Sequence, residues 1–567
     1  MWLDRAFTPR MSREHVVGVA ITLFLLACHV LVYCCAGGLW RDETNSVQLA
    51  TQFSLSELWR ELEHDSFPLP WFLFLRGWHA LGLGTSDHGW RLIGLIAGVT
   101  MVGMLWVAGR TLSLDQQWRL PLIAAVWIAL CPATLHVGDS VRGYGTGMIL
   151  QMGAIICTWR YLATRSLWHW LAMAVVFLAS VQVLFYNALA VFALGVAAAT
   201  IGFRRRSFAA VIMPLLAGGI SAASLLPYRD MFARMSAWNF LVKTQLTPPV
   251  FLTSWNAALH DFSLGLSPDP RFRVDLLPHF APLCLHVAGL ALALLVCYLD
   301  ARRHPRPMHG NNPQRDTLAA APSTGHPSAI ADRAWFCGVS LGIYVPLYLI
   351  TLSQLGYVLH PRYFLGLIAF TGILVDMALD TRIASFPRGR SYRLAVAGIL
   401  ALLSASSVVR ASLLRQTNVD LAARYLEEHA GGKDLILVSP WYVGVSFDYH
   451  FTGRCRWMTM PAIERLEIHR YDDYLVKARD PNHARDITAA IEAASLSGGD
   501  VWYVGTELVV APGAAGQTML QGSGYGLGVA NLLLQQRWAA DMPPPLTAQP
   551  VQEFENVSLL RFRRPAP

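Results

Sequence analysis

Apolar and charged positions segregate along this chain. Residues 16–40 contain no Asp, Glu, Lys or Arg, and similar runs recur at 92–109, 120–138, 143–158, 166–203, 207–228, 276–299, 334–361 and 394–409. A helix of roughly 20 residues, rising ~1.5 Å per residue, crosses a ~30 Å hydrocarbon layer, so these runs predict membrane spans. The run 166–203 is nearly twice that length and is predicted to break near Phe185-Tyr186-Asn187. Residues 363–375 make a further span that extends to Leu379 if Asp376 faces the helix bundle. The segment 68–83 is short, begins Pro-Leu-Pro and carries Arg76 and His79, which predicts an interfacial or re-entrant helix. The count is then eleven spans.

Arginine placement sets the orientation. Segments 1–15, 110–119, 160–165, 204–206, 300–333 and 380–393 all carry arginine. Under the positive-inside rule they are cytoplasmic, with the N-terminus inside and the C-terminus outside. Outer loops are expected at 41–87 and 229–275. The stretch 300–333 reads as a cytoplasmic linker without periodicity. After residue 410 the pattern changes. Helical spacing at 419–429 and 487–494 alternates with strand-like 434–439, 500–505 and 557–562, which predicts a small α/β domain. The fold class is therefore a polytopic α-helical membrane protein, with a membrane domain over 1–410 and an extracytoplasmic, periplasmic α/β domain over 411–567.

Composition sharpens the class. Hydrophobic residues make up 54% and charged residues 14% of the 567, against roughly 25% charge in soluble chains. That excludes a soluble globular protein, a disordered chain and a collagen-like fibre. The net charge of +8 sits at the ends of apolar runs, so it encodes topology and not nucleic-acid binding. Eight of nine cysteines lie in or beside apolar runs, and Cys455 stands alone in the polar region, so no disulfide framework forms there. Only three cations are lysines (Lys243, Lys433, Lys477), a usage that fits a GC-rich bacterium and hence its inner membrane.

Candidate chemistry gathers at the expected outer rim. Trp40-Arg41-Asp42-Glu43-Thr44-Asn45 follows the first span directly and places two carboxylates at the mouth of the bundle. A solvated helix cap is the plain alternative; the functional reading has a carboxylate taking a proton from an acceptor hydroxyl or amine. Glu63-His64-Asp65-Ser66-Phe67-Pro68 adds Asp65, which orients the acceptor or binds a metal beside Asp42. A divalent metal stays open as a cofactor, although no HExxH-type spacing supports one. Arg142 and Tyr144, in His136-Val137-Gly138-Asp139-Ser140-Val141-Arg142-Gly143-Tyr144, and Arg362 and Tyr363, after Leu359-His360-Pro361, repeat an Arg-Tyr theme. A guanidinium fork suits phosphate, and Lys243 in the second outer loop is a further candidate.

These motifs, in this order over residues 10–410, resemble the GT-C glycosyltransferases. The closest branch is the bacterial relatives of protein O-mannosyltransferase and lipid A aminoarabinose transferase. The resemblance implies a donor that is a polyprenyl-phosphate-linked sugar and an extracytoplasmic acceptor (lipid, glycan or protein). It implies that Asp42 is the essential first-loop acid, Glu43 its companion and Asp65 the acid of the re-entrant segment. Arg142, Tyr144, Arg362 and Tyr363 would then hold the donor phosphate, with Lys243, a candidate from its place in the second outer loop, beside them. Phe67-Pro68-Leu69 stands where the family often has His-Pro-Pro, and Gly143 replaces a proline. The expected reaction is an inverting sugar transfer with Asp42 as base. The rival reading is a transporter or flippase of a lipid-linked saccharide using the same arginines.

Overall fold

Helices occupy every charge-free run in the computed structural model. It describes residues 13–113, 118–244, 246–259, 280–303, 327–386, 388–482, 484–505, 509–511, 519–521, 533, 538–552 and 555–563. The stretch 300–333, expected as a cytoplasmic linker, and the second half of the 229–275 loop fall largely outside these. The bundle opens with α1 (Arg13–Cys35), followed by α2 (Arg41–Thr51), α3 (Leu55–Glu61), α4 (Leu69–Ala80) and α5 (Asp87–Leu112). Next come α6 (Leu122–Ala129), α7 (Pro132–Gly138), α8 (Tyr144–Thr164), α9 (Leu167–Val181), α10 (Asn187–Arg204) and α11 (Phe208–Ala223). The rest of the bundle is α12 (Arg229–Met235), α13 (Pro248–Leu259), α14 (Ala281–Arg303), α15 (Pro327–Leu355), α16 (Leu365–Ser385) and α17 (Gly389–Leu413).

Among the described residues, eight helices are long and apolar enough to cross a membrane. They do not amount to the expected eleven, and the differences have local causes. The run 120–138 is split, because Pro132 cannot donate to the helix before it and starts a new one. Every residue of α6 and α7 is buried, so this run lies inside the bundle and not against lipid. Helix α9 has only 15 residues. Helix α8, with 21 residues, is the third expected span that is not among the eight. Helix α4 has 12, about 18 Å of rise, too little for a span, in keeping with the short interfacial or re-entrant segment expected there.

Close approach of helices depends on small residues. A Cβ on Gly94 of α5 would lie 1.7 Å from the Asp139 carbonyl oxygen, and one on Gly145 of α8 would lie 2.2 Å from that of Gly138. Charge inside the bundle is paired. Asp376 of α16 accepts the N–H groups of Ile123 (2.8 Å) and Ala124 (3.1 Å), capping the start of α6 from the side, and binds Arg393 at 3.0 Å. It does face the bundle.

After α17 the chain builds a mixed sheet. Helix α18 (Val419–His429) leads to β1 (Leu435–Ser439), α19 (Gly444–His450), β2 (Arg456–Thr459), α20 (Tyr471–Arg479), α21 (Arg485–Leu496) and β3 (Val501–Gly505). Strands β4 (Val509–Ala511) and β5 (Met519–Gln521) form a separate ribbon, and β6 (Ala539–Asp541) and β7 (Ser558–Arg563) complete the main sheet. Its order is β2-β1-β3-β7-β6, with β2-β1-β3 parallel and β7 antiparallel to its neighbours. Strand β1 is buried throughout because both faces are covered. Leu435, Leu437 and Tyr503 pack on Ile487 and Ile491 of α21. Ile436, Val438 and Trp502 pack on Ala422 and Leu426 of α18 and Phe447 of α19.

Candidate functional site

Helix α2 explains where the site lies. Its sequence, RDETNSVQLAT, is mostly polar, yet every residue from Asp42 to Ala50 is buried. A buried polar group must find a partner or await one. Here the partners come from distant segments. Ser46 Oγ and Asn45 Nδ2 donate to Asp65 Oδ2 at 2.7 and 3.0 Å. Arg142 forms the junction. It donates to Asp65 Oδ1 (3.1 Å), to Ser46 Oγ (3.1 Å) and to the Asp42 carbonyl (2.7 Å), with its guanidinium 4.7 Å from the centre of the Phe67 ring. Arg362, just before α16, donates to Asp42 Oδ2 at 2.7 Å.

These groups border a cavity of about 480 Å³ at one end of the bundle. Asp42, Asp65, Arg142, Arg362 and Tyr363 all line it. The structure leaves the other three sequence candidates outside the lining. Glu43 is fully buried. Its carboxylate receives the Val141 N–H at 2.7 Å, the Trp40 N–H at 3.3 Å and two bonds from Arg91 at 3.1 and 3.2 Å, so it ties α2 to α5. Tyr144 turns into the bundle, edge-on to Phe67 at 5.1 Å. Lys243 pairs with Tyr357 through a backbone bridge and is exposed. Asp139 also turns inward, onto His29 of α1 at 2.6 Å.

The opposite wall comes from the α/β domain. The carboxyl ends of the parallel strands β1 and β2 lead to the residues that line the cavity, which is where open α/β sheets place ligand-binding groups. Trp441 and Tyr442 follow β1, while His469, Tyr471 and Tyr474 follow β2. Trp238 stacks on Tyr471 at 4.4 Å, and Trp441 stacks on Tyr474 at 5.1 Å. His469 Nε2 lies 3.6 Å from Asp42 Oδ1. The sequence reading missed this wall. Its one visible signal is the density of His469-Arg470-Tyr471-Asp472-Asp473-Tyr474 and Trp441-Tyr442, which is unusual for a solvated lid.

The cavity lining holds three guanidinium groups (Arg41, Arg142, Arg362) and three carboxylates (Asp42, Glu63, Asp65). Burial pushes the Asp42 carboxyl upward, but Arg362, with His469, Arg142 and Arg41 nearby, prevails and holds it well below the ordinary carboxylate range. Burial raises Glu43 despite Arg91. Burial lowers His64 to about 4. Asp42 is thus ionised at neutral pH, and His64 is neutral. Among the described residues no group of three or more His, Cys, Asp or Glu is placed to hold a metal ion. Asp42 and Asp65 instead each face an arginine.

Fold and cavity together define a multi-pass helical membrane protein with a polar site at one end of its bundle. No family model and no curated protein matches the sequence. Among solved structures, the chain is similar to ArnT from Cupriavidus metallidurans bound to undecaprenyl phosphate, with TM-score 0.44, 11% identity, and coverage of 96% of this chain and 97% of that one. It is also similar to the Archaeoglobus fulgidus oligosaccharyltransferase in complex with zinc and sulfate (TM-score 0.44, 11% identity, 86% and 67% covered). A third similar structure is AglB from the same organism in complex with an inhibitory peptide and a dolichol-phosphate (TM-score 0.44, 10% identity, 89% and 70% covered).

Proposed function

We propose that this protein is a membrane glycosyltransferase that moves a sugar from a polyprenyl-phosphate donor to an extracytoplasmic acceptor, with inversion. The observation that supports it is the Asp42–Arg362 pair on the wall of the aromatic-lined cavity. Arg362, with Arg142 and Tyr363, holds the donor phosphate. Asp42 accepts a hydrogen bond from the acceptor hydroxyl or amine and aims it at the anomeric carbon. The acceptor forms its bond to that carbon as the carbon–phosphate oxygen bond breaks. The electron pair departs on the prenyl phosphate, whose growing charge the guanidinium groups stabilise. Asp65 fixes Arg142, and Glu43 fixes the helix that carries Asp42. In this reading the cavity faces the periplasm and the 411–567 domain covers it from that side.

The test uses full-length protein in lipid nanodiscs with a panel of radiolabelled polyprenyl-phosphate sugars, following label transfer. Asp42→Asn is expected to lower transfer by roughly 10²–10³, by analogy with loss of one transition-state contact. Donor-lipid binding should persist. Wild-type transfer by Asp42→Asn, or no label movement from any donor by the unmutated protein, overturns the reading.

A further inference from the structure

In the proposed transfer, the nucleophile's proton needs a destination. The Arg362 guanidinium at 2.7 Å occupies one oxygen of Asp42 and keeps the carboxylate a weak base. An efficient proton acceptor titrates near the working pH, and Asp42 does not.

We propose that His469 is the catalytic base of the transfer reaction, with Asp42 holding its ring. This rests on the glycosyl-transfer reading and adds a residue to it. His469 is 4% exposed and lines the cavity; its Nε2 lies 3.6 Å from Asp42 Oδ1, and its Nδ1 has no hydrogen-bond partner. A buried ring nitrogen without a partner is costly unless a ligand completes it. Its backbone is fixed across the cavity, since the His469 N–H donates to Asn45 Oδ1 at 2.7 Å. Its ring lies between Trp441 (6.1 Å) and Tyr471 (5.7 Å). The charged and titratable groups around it are Asp42 and Arg41 from α2, and Asp65 and His64 from the segment between α3 and α4. Burial lowers its proton affinity, while Asp42 partly offsets that, so the ring is neutral at pH 7.

With Nε2–H directed at Asp42 Oδ1, Nδ1 is the nitrogen left to accept. The acceptor oxygen or nitrogen bonds to the anomeric carbon, and the carbon–phosphate oxygen bond breaks with its electron pair leaving on the prenyl phosphate. The acceptor proton moves to Nδ1. The imidazolium, stabilised by Asp42, then releases that proton to water.

The experiment compares the full-length protein with His469→Gln and His469→Ala in nanodiscs, measuring label transfer across pH and binding of the donor lipid. Both variants should transfer roughly 10²–10⁴-fold more slowly, with donor binding unchanged. The unmutated protein should show an acid limb below the ordinary 6.5 of imidazole, and His469→Gln should lack it. Added imidazole should restore part of the rate in His469→Ala. An intact acid limb in His469→Gln, a wild-type rate in either variant, or a loss that imidazole never restores overturns the assignment of the base while leaving sugar transfer standing. Failure of the unmutated protein with every donor instead removes the transfer reading, and this proposal with it.

Discussion

At the scale of single residues, Arg362 and Glu43 are expected to fail in different ways. Arg362 faces the cavity and pairs with Asp42. Arg362→Ala should lower transfer by roughly 10²–10³, and Arg362→Lys should recover little, because an ammonium cannot reproduce a planar fork. Single-turnover label release checks both. Glu43→Ala leaves Arg91 buried without its carboxylate, which typically costs ~3–5 kcal/mol. A lowered thermal midpoint in nanodiscs is the expected result, with donor binding retained at low temperature. Both residues were visible in the sequence, but their separation of duties was not. Neighbours on a helix project about 100° apart, so when Asp42 faces the cavity Glu43 must face α5. Tyr144 opens α8 and packs edge-on to Phe67, outside the cavity lining. For His469 the aromatic and charged density of 469–474 was the one local signal, and its pairing with Asp42 depends on how a separate domain docks.

At the scale of elements, the hydropathy pattern located the long apolar helices of the bundle, since a charge-free run leaves few alternatives to a buried or lipid-facing helix, but not the short polar ones such as α2, α3 and α20. It could not separate those two environments. Residues 122–138 carry only Thr134 and His136 as polar side chains, so no periodicity marks them as interior, and the break at Pro132 follows from that proline's missing donor. Strand-like runs at 434–439, 500–505 and 557–562 correspond to β1, β3 and β7. The short β2, β4, β5 and β6 carry too few residues for alternation to register. The cap that Asp376 makes on α6 was readable only as a condition on which way that carboxylate faces. Asp376→Ala leaves two N–H groups without their acceptor and Arg393 with Asp380 at 3.3 Å, so a loss of about 1–3 kcal/mol is expected. Chemical or thermal unfolding should reveal it, and donor binding by the folded fraction should not change.

At the scale of the whole molecule, the α/β domain docks on the bundle largely through polar contacts. Glu555 receives the Arg41 N–H at 3.1 Å, at the first turn of α2, and the Ser446 hydroxyl at 2.7 Å. Burial pushes its carboxyl up to about 7, against Arg41, Ser446 and Thr417. Between its ordinary 4.5 and about 7 the folded protein retains a proton that the unfolded chain has lost. Folding stability must therefore fall as pH rises through that window, by up to about 1.4 kcal/mol per pH unit. Thermal midpoints from pH 5 to 8 should show this slope, and Glu555→Gln should flatten it. Further ties come from His136 Nε2 to Gln552 Oε1 at 3.0 Å and from Arg470 to Glu61 at 2.5 Å. The bond from His469 to Asn45 spans 424 positions of chain, which has a meaning for biogenesis. The ribosome delivers the carboxylate of α2 long before the imidazole that faces it, and the last strand arrives later still. An unfinished chain already threaded into the bilayer therefore holds only half a pocket. Under the proposed function, a lipid-linked sugar that reaches such a chain meets Asp42 without His469 and is not consumed.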